Sequence, residues 1–444
     1  MERHAPRIAQ TASLIAVAVL LLLAALAAAT PWVMPNQDIN AQRLAAGAIF
    51  AASYLSLAVG KVPGLAIDRA GVALVGACLM VASGALPLDQ AYTAINLDTI
   101  TLLLGMMIVV ASLRLSGFFA LANSFVARHA HHPLVLLIAV TAVSGIFSAF
   151  LVNDAICLVL APLVTELTLS LRRNPVPYLL AVAMASNVGS VATITGNPQN
   201  IMIGSLSRIP YTSFVASLAP VALAGLVIVV VLIAALHRKE FAGAARLAAE
   251  PQRIRVNTVL VARALFATAL VIGLFFAGQP PAKAAIIVGA LLLLTRRVRS
   301  TRIYAEIDWS LLLMFSGLFI IVAGAERTLL TPDIIAAAGR MQLDRIPMLT
   351  TVTAVLSNLV SNVPAVLVIK PFVVSLHDQT RAWLVIAMAS TLAGNFTVLA
   401  SIANLIVVEK AARRGVAIGF LAYTRVGVPL TLVTLLLGAW WLSR

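Results

Sequence analysis

Apolar residues run along this chain in blocks of about twenty, each long enough to cross roughly 30 Å of hydrocarbon as a helix. The pattern predicts spans near 11–29, 44–60, 71–86, 98–116, 177–204, 211–236, 258–278, 281–296, 308–326, 382–408 and 417–442. Two further apolar stretches, 134–170 and 346–374, carry a polar Asn near the middle rather than at an end. We read each as a re-entrant hairpin of two half-helices; an ordinary pair of crossing helices is the alternative. The block at 11–29 follows Arg3 and Arg7 in the manner of a signal peptide. Pro31 and many more spans come after it, so it reads as a retained first helix.

The polar interruptions repeat. AMASNVGSVATITGNPQNIMIG at 183–204 and AMASTLAGNFTVLASIANLIVV at 387–408 align at a fixed offset of 204, which brings Thr193 onto Thr397 and Asn200 onto Asn404. Upstream of each, LVNDAICLVLAP and VSNVPAVLVIKP both run nine residues from Asn to Pro, Asn153 to Pro162 and Asn362 to Pro371. Interrupted apolar segments at matching places in two halves mark the binding site of a secondary transporter. The predicted organisation is an N-terminal helix and loop at 1–43, a first repeat at 44–236, a basic linker at 237–257 and a second repeat at 258–444. Each repeat holds an odd number of crossings, so the second is inverted. The expected fold is an all-α polytopic membrane protein with about eleven transmembrane helices and two hairpins.

Composition agrees. The chain is 61% hydrophobic and 11% charged, with a mean hydropathy of +1.02, more apolar side chain than a soluble protein of this length can bury. The net charge of +15 sets the orientation and does not suggest nucleic acid. With the N-terminus cytoplasmic, the inner segments collect Arg172, Arg173, Arg238, Lys239, Arg296, Arg297, Lys410, Arg413 and Arg414, and the outer ones are poorer. That is the positive-inside pattern of a multi-pass protein of the inner (plasma) membrane.

A broken helix survives in lipid only where it faces protein or a water-filled cavity. Its free N–H groups suit an anion and its free carbonyls a cation. Gly196 and Pro198 break the first repeated span. The second has Ala400 and Ile402 at those positions, so its break is expected to be less sharply unwound. Asn153, Asn200, Asn362 and Asn404 are expected to converge near the midplane, with Thr193, Thr195, Asn197, Asn358, Ser361, Thr397 and Ser401 around them. Such amides and hydroxyls can hold an oxyacid, an oxyanion or a small cation; they can also simply join helices. Asp154 stands in an apolar run, where its carboxyl either carries a proton in each cycle or caps a half-helix. Asp98, Asp308, Glu166, Glu326 and Glu409 read as caps or ion pairs at span ends, and Arg114 and Arg327 as snorkelling side chains.

No phosphate-binding GxxxxGK[ST] run, metal-binding HExxH or Cys-pair pattern, or dinucleotide fingerprint is present, so no cofactor is expected. The two cysteines, Cys78 and Cys157, lie inside apolar runs and suggest no disulfide framework.

On LVNDAICLVLAP and VSNVPAVLV, nearly the whole chain from about residue 44 resembles the ion transporter superfamily, in particular its arsenite-efflux permeases and related anion and citrate-type carriers; TITGNPQN is unlike the arsenite permeases and closer to the Gly-x-Pro-x-Asn pattern of carriers of other anions. The resemblance implies that Asn153 and Asn362 are the hairpin-tip residues near which sodium-coupled members hold Na+ and a substrate carboxylate. The tips here read Val-Asn-Asp and Ser-Asn-Val in place of Ser-Asn-Thr, which favours H+ over Na+ as coupling ion. The expected function is secondary active transport of a small oxyanion or its neutral acid by alternating access, with arsenite-type efflux leading. A homodimer is implied by resemblance alone. The rivals are a sodium- or proton-coupled uptake carrier for citrate or succinate, a channel, and a membrane-embedded enzyme, for which no nucleophile–base pair is visible.

Overall fold

A computed structural model describes residues 39–59, 67–129, 132–241, 257–294, 298–330 and 341–444. The span expected at 11–29 and most of the basic linker lie outside these residues. Among the described residues there are helices and no strands. Seven of the described helices are long and apolar enough to cross a membrane: Leu97–Ser116, Pro133–Leu151, Asn153–Ser170, Tyr211–Leu236, Thr258–Phe276, Trp309–Leu329 and Phe420–Leu442. Arg69–Ala82, Pro281–Leu293, Ile346–Val360 and Asn362–Val373 are shorter apolar helices. The polytopic all-α class expected from the hydrophobic pattern is what the chain forms.

Helix starts follow local chemistry. Asn174 accepts a hydrogen bond from Val176 N (3.1 Å) and is followed by Pro175 at the first helical position. Asn257, Asp308 and Asp378 cap the helices that begin at Thr258, Trp309 and Gln379. Both stretches read from the sequence as hairpins turn sharply at one residue. Val152 joins Pro133–Leu151 to Asn153–Ser170 at φ +61°, and Ser361 joins Ile346–Val360 to Asn362–Val373 at φ +77°. Both are left-handed conformations that a side chain disfavours, a β-branched valine most of all, and both place the strained residue directly before the tip Asn. The arms of the first hairpin are about 28 and 27 Å long at 1.5 Å per residue, and those of the second about 22 and 18 Å.

The chain forms two compact units that interleave along the sequence. One takes in the described residues up to Ile100 and those within Asp308–Leu343 and Leu359–Leu376. Its helices Ile39–Val59, Arg69–Ala82 and Trp309–Leu329 meet through glycines: a Cβ on Gly317 would lie 2.6 Å from the Ala73 backbone, and one on Gly76 2.3 Å from Ser53 Oγ. Small residues let apolar helices approach this closely in lipid. Tyr54 donates to the carbonyl of Pro364 (3.4 Å), and Lys370, inside an apolar run, pairs with Glu326 (3.0 Å).

The other unit takes in the described residues within Thr101–Ile307, Asp344–Asn358 and His377–Arg444. The leading arm of its hairpin, Pro133–Leu151, runs alongside and in the same direction as Pro175–Ser190. Tyr178 reaches Pro133 O (3.5 Å) at one end, and Gly189 packs on Gly145 toward the other. The buried face of this arm carries Thr141, Ser144 and Ser148. An offset of 209, the one that brings Asn153 onto Asn362, brings them onto Thr350, Thr353 and Ser357, also buried. Ser357 donates to Ser390 O (2.9 Å), and the other five hydroxyls have no hydrogen-bond partner among the described residues. Arg114, in the last turn of Leu97–Ser116, pairs with Glu306. Arg263 caps the end of Pro281–Leu293 through the carbonyls of Leu291 (2.8 Å) and Leu294 (2.7 Å). Glu166 pairs with Arg414, and Glu409 with Arg413.

The Gly145–Gly189 contact is testable. A Cβ at Gly189 would sit 2.2 Å from Gly145 O, whereas one at Gly273 meets nothing within 4 Å. Gly189→Ala is expected to destabilise by about 1–3 kcal/mol, as overpacking does. Gly273→Ala should be neutral or stabilising by up to about 1 kcal/mol. Thermal midpoints in detergent check both, and equal midpoints would refute the close packing.

Candidate functional site

Two helices of the second unit are broken in the same way. The first runs Pro175–Ser190, then a 3-10 turn Ile194–Gly196, then Pro198–Ser207; the second runs Gln379–Ala393, Val398–Ala400 and Ile402–Ala412. The residue before each turn is extended, Thr193 at φ −137°, ψ 161° and Thr397 at φ −138°, ψ 168°. The expectation of a milder second break is therefore corrected: it unwinds as fully with Ala400 and Ile402 in place of Gly196 and Pro198.

The reason lies in two asparagines. Asn200 Nδ2 donates to Ser190 O and Thr193 O (3.0 Å each), and Asn404 Nδ2 donates to Gly394 O (2.7 Å) and Thr397 O (3.1 Å). All three positions in each set are related by the offset of 204. Unwinding strips carbonyls of their helical donors, and an unpaired buried carbonyl costs about 1–3 kcal/mol. One amide NH2 group satisfies two of them in each break. Gly196 is still needed in the first: a Cβ there would lie 2.1 Å from Ser190 O.

Asn187, in the last turn before the first break, joins the two breaks. Its Nδ2 donates to Asn395 Oδ1 (2.9 Å) and Asn404 Oδ1 (3.0 Å), and its Oδ1 accepts from Asn153 Nδ2 (3.0 Å) and Ser401 Oγ (3.3 Å). Reciprocally Thr391, its counterpart at the 204 offset, accepts from Asn197 Nδ2 (3.1 Å) and Gln199 Nε2 (3.2 Å). The amide orientations follow from one another. Asn404 must turn its NH2 to two carbonyls and so offers oxygen to Asn187. Asn187 must then offer oxygen to Asn153, whose own Oδ1 points away from the network. Asn153 Oδ1 and Asn200 Oδ1 are buried acceptors with no protein partner among the described residues.

The other expected residues divide between structural and open roles. Thr193 donates to Ala149 O, tying the break to the hairpin arm, and shares a hydrogen bond with Thr195 (3.2 Å), which also meets Tyr211 OH (3.1 Å). Asn197 caps Pro198–Ser207 by accepting from Asn200 N (2.8 Å). Ser401 stands at the matching place, but its hydroxyl serves Asn187 and leaves Ile402–Ala412 without a side-chain cap. Asn153–Ser170 also lacks one, and Asp154, half-buried, lies in its first turn. Uncapped helix starts present N–H groups and a positive dipole end to an anion. Asn358 donates to Ala354 O (2.9 Å) and Ala393 O (3.3 Å), bracing the second break. Thus Asn153, Asn200, Asn404, Asn197, Thr193, Thr195, Thr397 and Ser401 come together in one unit. Ser361 and Asn362 belong to the other, where Asn362–Val373 likewise begins without a side-chain cap.

Sequence reasoning missed Asn187, Thr391, Gln199 and Ser190. The usable signal was polarity rather than identity: positions 187 and 391 are both polar in otherwise apolar helices. No cluster of three or more His, Cys, Asp or Glu that could hold a metal occurs among the described residues.

Asn187→Ala would strand donors or acceptors on four neighbours. We expect a midpoint far below that of Ser205→Ala, which removes only a bond to its own helix at Ile201 O. Equal midpoints would show that the amide network is not structural.

Comparisons with known proteins agree with this architecture. The chain is 30% identical over 424 residues to an uncharacterized transporter of Mycobacterium tuberculosis, covering 88% of this chain and 96% of the relative. It is 30% identical over 450 residues to a silicon efflux transporter of Oryza sativa subsp. japonica, covering 85% and 93%. A transporter designated arsB of Dictyostelium discoideum is 24% identical over 84% of this chain and 87% of its own length. Among solved structures, the YdaH transporter of Alcanivorax borkumensis shares the fold, with a TM-score of 0.57 at 15% identity over 90% of this chain and 97% of that one. The family model described as citrate transporter matches residues 49–393. The chain is therefore a membrane transporter, and it belongs to the citrate transporter family.

Proposed function

We propose that this protein is a secondary active transporter for a small oxyanion or its neutral acid, with proton-driven efflux of an arsenite-type acid as the leading reading. The observation that supports it is the mixed character of the broken-helix site. Uncapped starts at Asn153 and Ile402 offer N–H groups, while Asn153 Oδ1 and Asn200 Oδ1 are buried oxygens without protein partners. An acid bearing both hydroxyl hydrogens and oxygens satisfies the two kinds of group at once. A fully ionised anion would leave the two oxygens unpaired unless a cation came with it, which is where Na+ coupling would enter. The names of the rice and Dictyostelium relatives point the same way as the site. Asp154, beside the tip Asn and in the first turn of its helix, is the proton carrier in this reading, and transport proceeds by alternating access.

Uptake of a di- or tricarboxylate such as citrate or succinate is the second reading. The family description favours it, and helix N-termini suit carboxylates.

Flux into proteoliposomes separates the two. Purified protein is given arsenite, silicic acid, citrate or succinate, with a pH or a sodium gradient. The leading reading expects pH-driven arsenite or silicic acid flux, indifference to sodium, and loss of pH-driven flux in Asp154→Asn. Sodium-stimulated citrate or succinate flux with no arsenite movement would overturn it. Flux that rises without saturation would instead indicate a channel.

A further inference from the structure

The two breaks obey one symmetry and depart from it at one residue. In the second break Asn404 Oδ1 is occupied by Asn187 Nδ2. In the first, the equivalent oxygen, Asn200 Oδ1, has no protein partner among the described residues. The residue that would supply one is the counterpart of Asn187, and it is Thr391. Thr391 reproduces the accepting half of the Asn187 role, and its single hydroxyl hydrogen does not reach Asn200 Oδ1. Its Oγ1 takes Asn197 Nδ2 and Gln199 Nε2, as Asn187 Oδ1 takes Ser401 Oγ at the position matching Asn197. It has no NH2 group with which to fill the remaining oxygen.

We infer that Thr391 determines the binding selectivity of the site, because its hydroxyl, unlike the amide of Asn187, does not fill the asparagine oxygen opposite and leaves Asn200 Oδ1 as an acceptor for the bound solute. The inference rests on the transport reading above. It assigns the donors of the solute to the first break, where Asn200 Oδ1 is unfilled, since the matching oxygen of the second break is already taken by Asn187. Asn200 cannot turn its amide over to escape this, since its NH2 is held by Ser190 O and Thr193 O. The site therefore selects solutes that donate: hydroxyl hydrogens of an undissociated or partly dissociated oxyacid, or a cation.

Thr391→Asn is the test, because asparagine is close to threonine in size and carries both halves of the role. Its oxygen would keep Asn197 and Gln199, and its NH2 would fill Asn200 Oδ1. Thr391→Ser keeps the wild-type chemistry. In the absence of solute, Thr391→Asn is expected to raise the thermal midpoint by about 2 °C by satisfying a buried acceptor, with Thr391→Ser at or slightly below wild type. In proteoliposomes Thr391→Asn should lose about tenfold in flux of whichever probe the wild type moves (arsenite, silicic acid, citrate or sodium-coupled succinate), one hydrogen bond's worth of binding. Thr391→Ser should stay within about threefold.

An unchanged or lower solute-free midpoint in Thr391→Asn would overturn the inference. So would wild-type flux in a Thr391→Asn protein with the raised midpoint. If the wild type moves none of the probes, the transport reading fails, while the midpoint still decides whether Thr391 leaves the oxygen open.

Discussion

Unwound backbone in the middle of an apolar protein needs hydrogen-bond donors, and here two asparagine side chains supply them. Asn200 and Asn404 each hold two carbonyls that the breaks strip of helical partners. Water cannot do this in a packed membrane interior, and a break without donors would rewind. Everything at the site follows from that requirement. Once the two NH2 groups are committed inward, the two oxygens must face elsewhere. Asn187 takes one of them, and its own amide is then oriented, which orients Asn153 in turn. A chain of forced choices leads from the broken backbone to the groups available for a solute.

The same constraint explains why the site is nearly, but not fully, symmetric. Duplication gave both breaks the same 3-10 turn, the same extended threonine and the same asparagine staple. Single substitutions then divided the work. Asn197 caps its helix, whereas Ser401 lends its hydroxyl to Asn187 and leaves its helix uncapped. Asp154 follows one tip asparagine, and Val363 follows the other. Structural hydrogen bonds concentrate around the second break and open groups around the first.

Much of this was legible in the chain. Apolar block lengths marked the helices to within a few residues, because crossing hydrocarbon demands a near-constant length. The turn at each hairpin tip was legible as an Asn inside an apolar run, and both broken spans as polar repeats. Less visible was the role of each amide. Asn200 and Asn404 were expected to face a solute, but their donors hold the backbone, and only the oxygen of Asn200 stays open. Asn187 was overlooked because its repeat partner is a threonine, and hydrogen-bond register does not show in composition. The hydroxyls of Thr141, Ser144 and Ser148 escaped notice for a related reason. They match their partners at an offset of 209 and the broken spans match at 204, so no single alignment shows both. The interleaving of the two units was hidden too, since sequence repeats follow duplication and packing follows space.

The central claim is that the amide network orients Asn153 and Asn200 so that their oxygens meet the transported solute. A high-resolution structure of the protein with its transported substrate bound tests this most directly. The account predicts substrate density within hydrogen-bonding distance of Asn153 Oδ1 and Asn200 Oδ1, with Asn187 still joined to Asn395 and Asn404. Substrate bound away from both oxygens, or an Asn200 amide turned so that its nitrogen faces the solute, would contradict it.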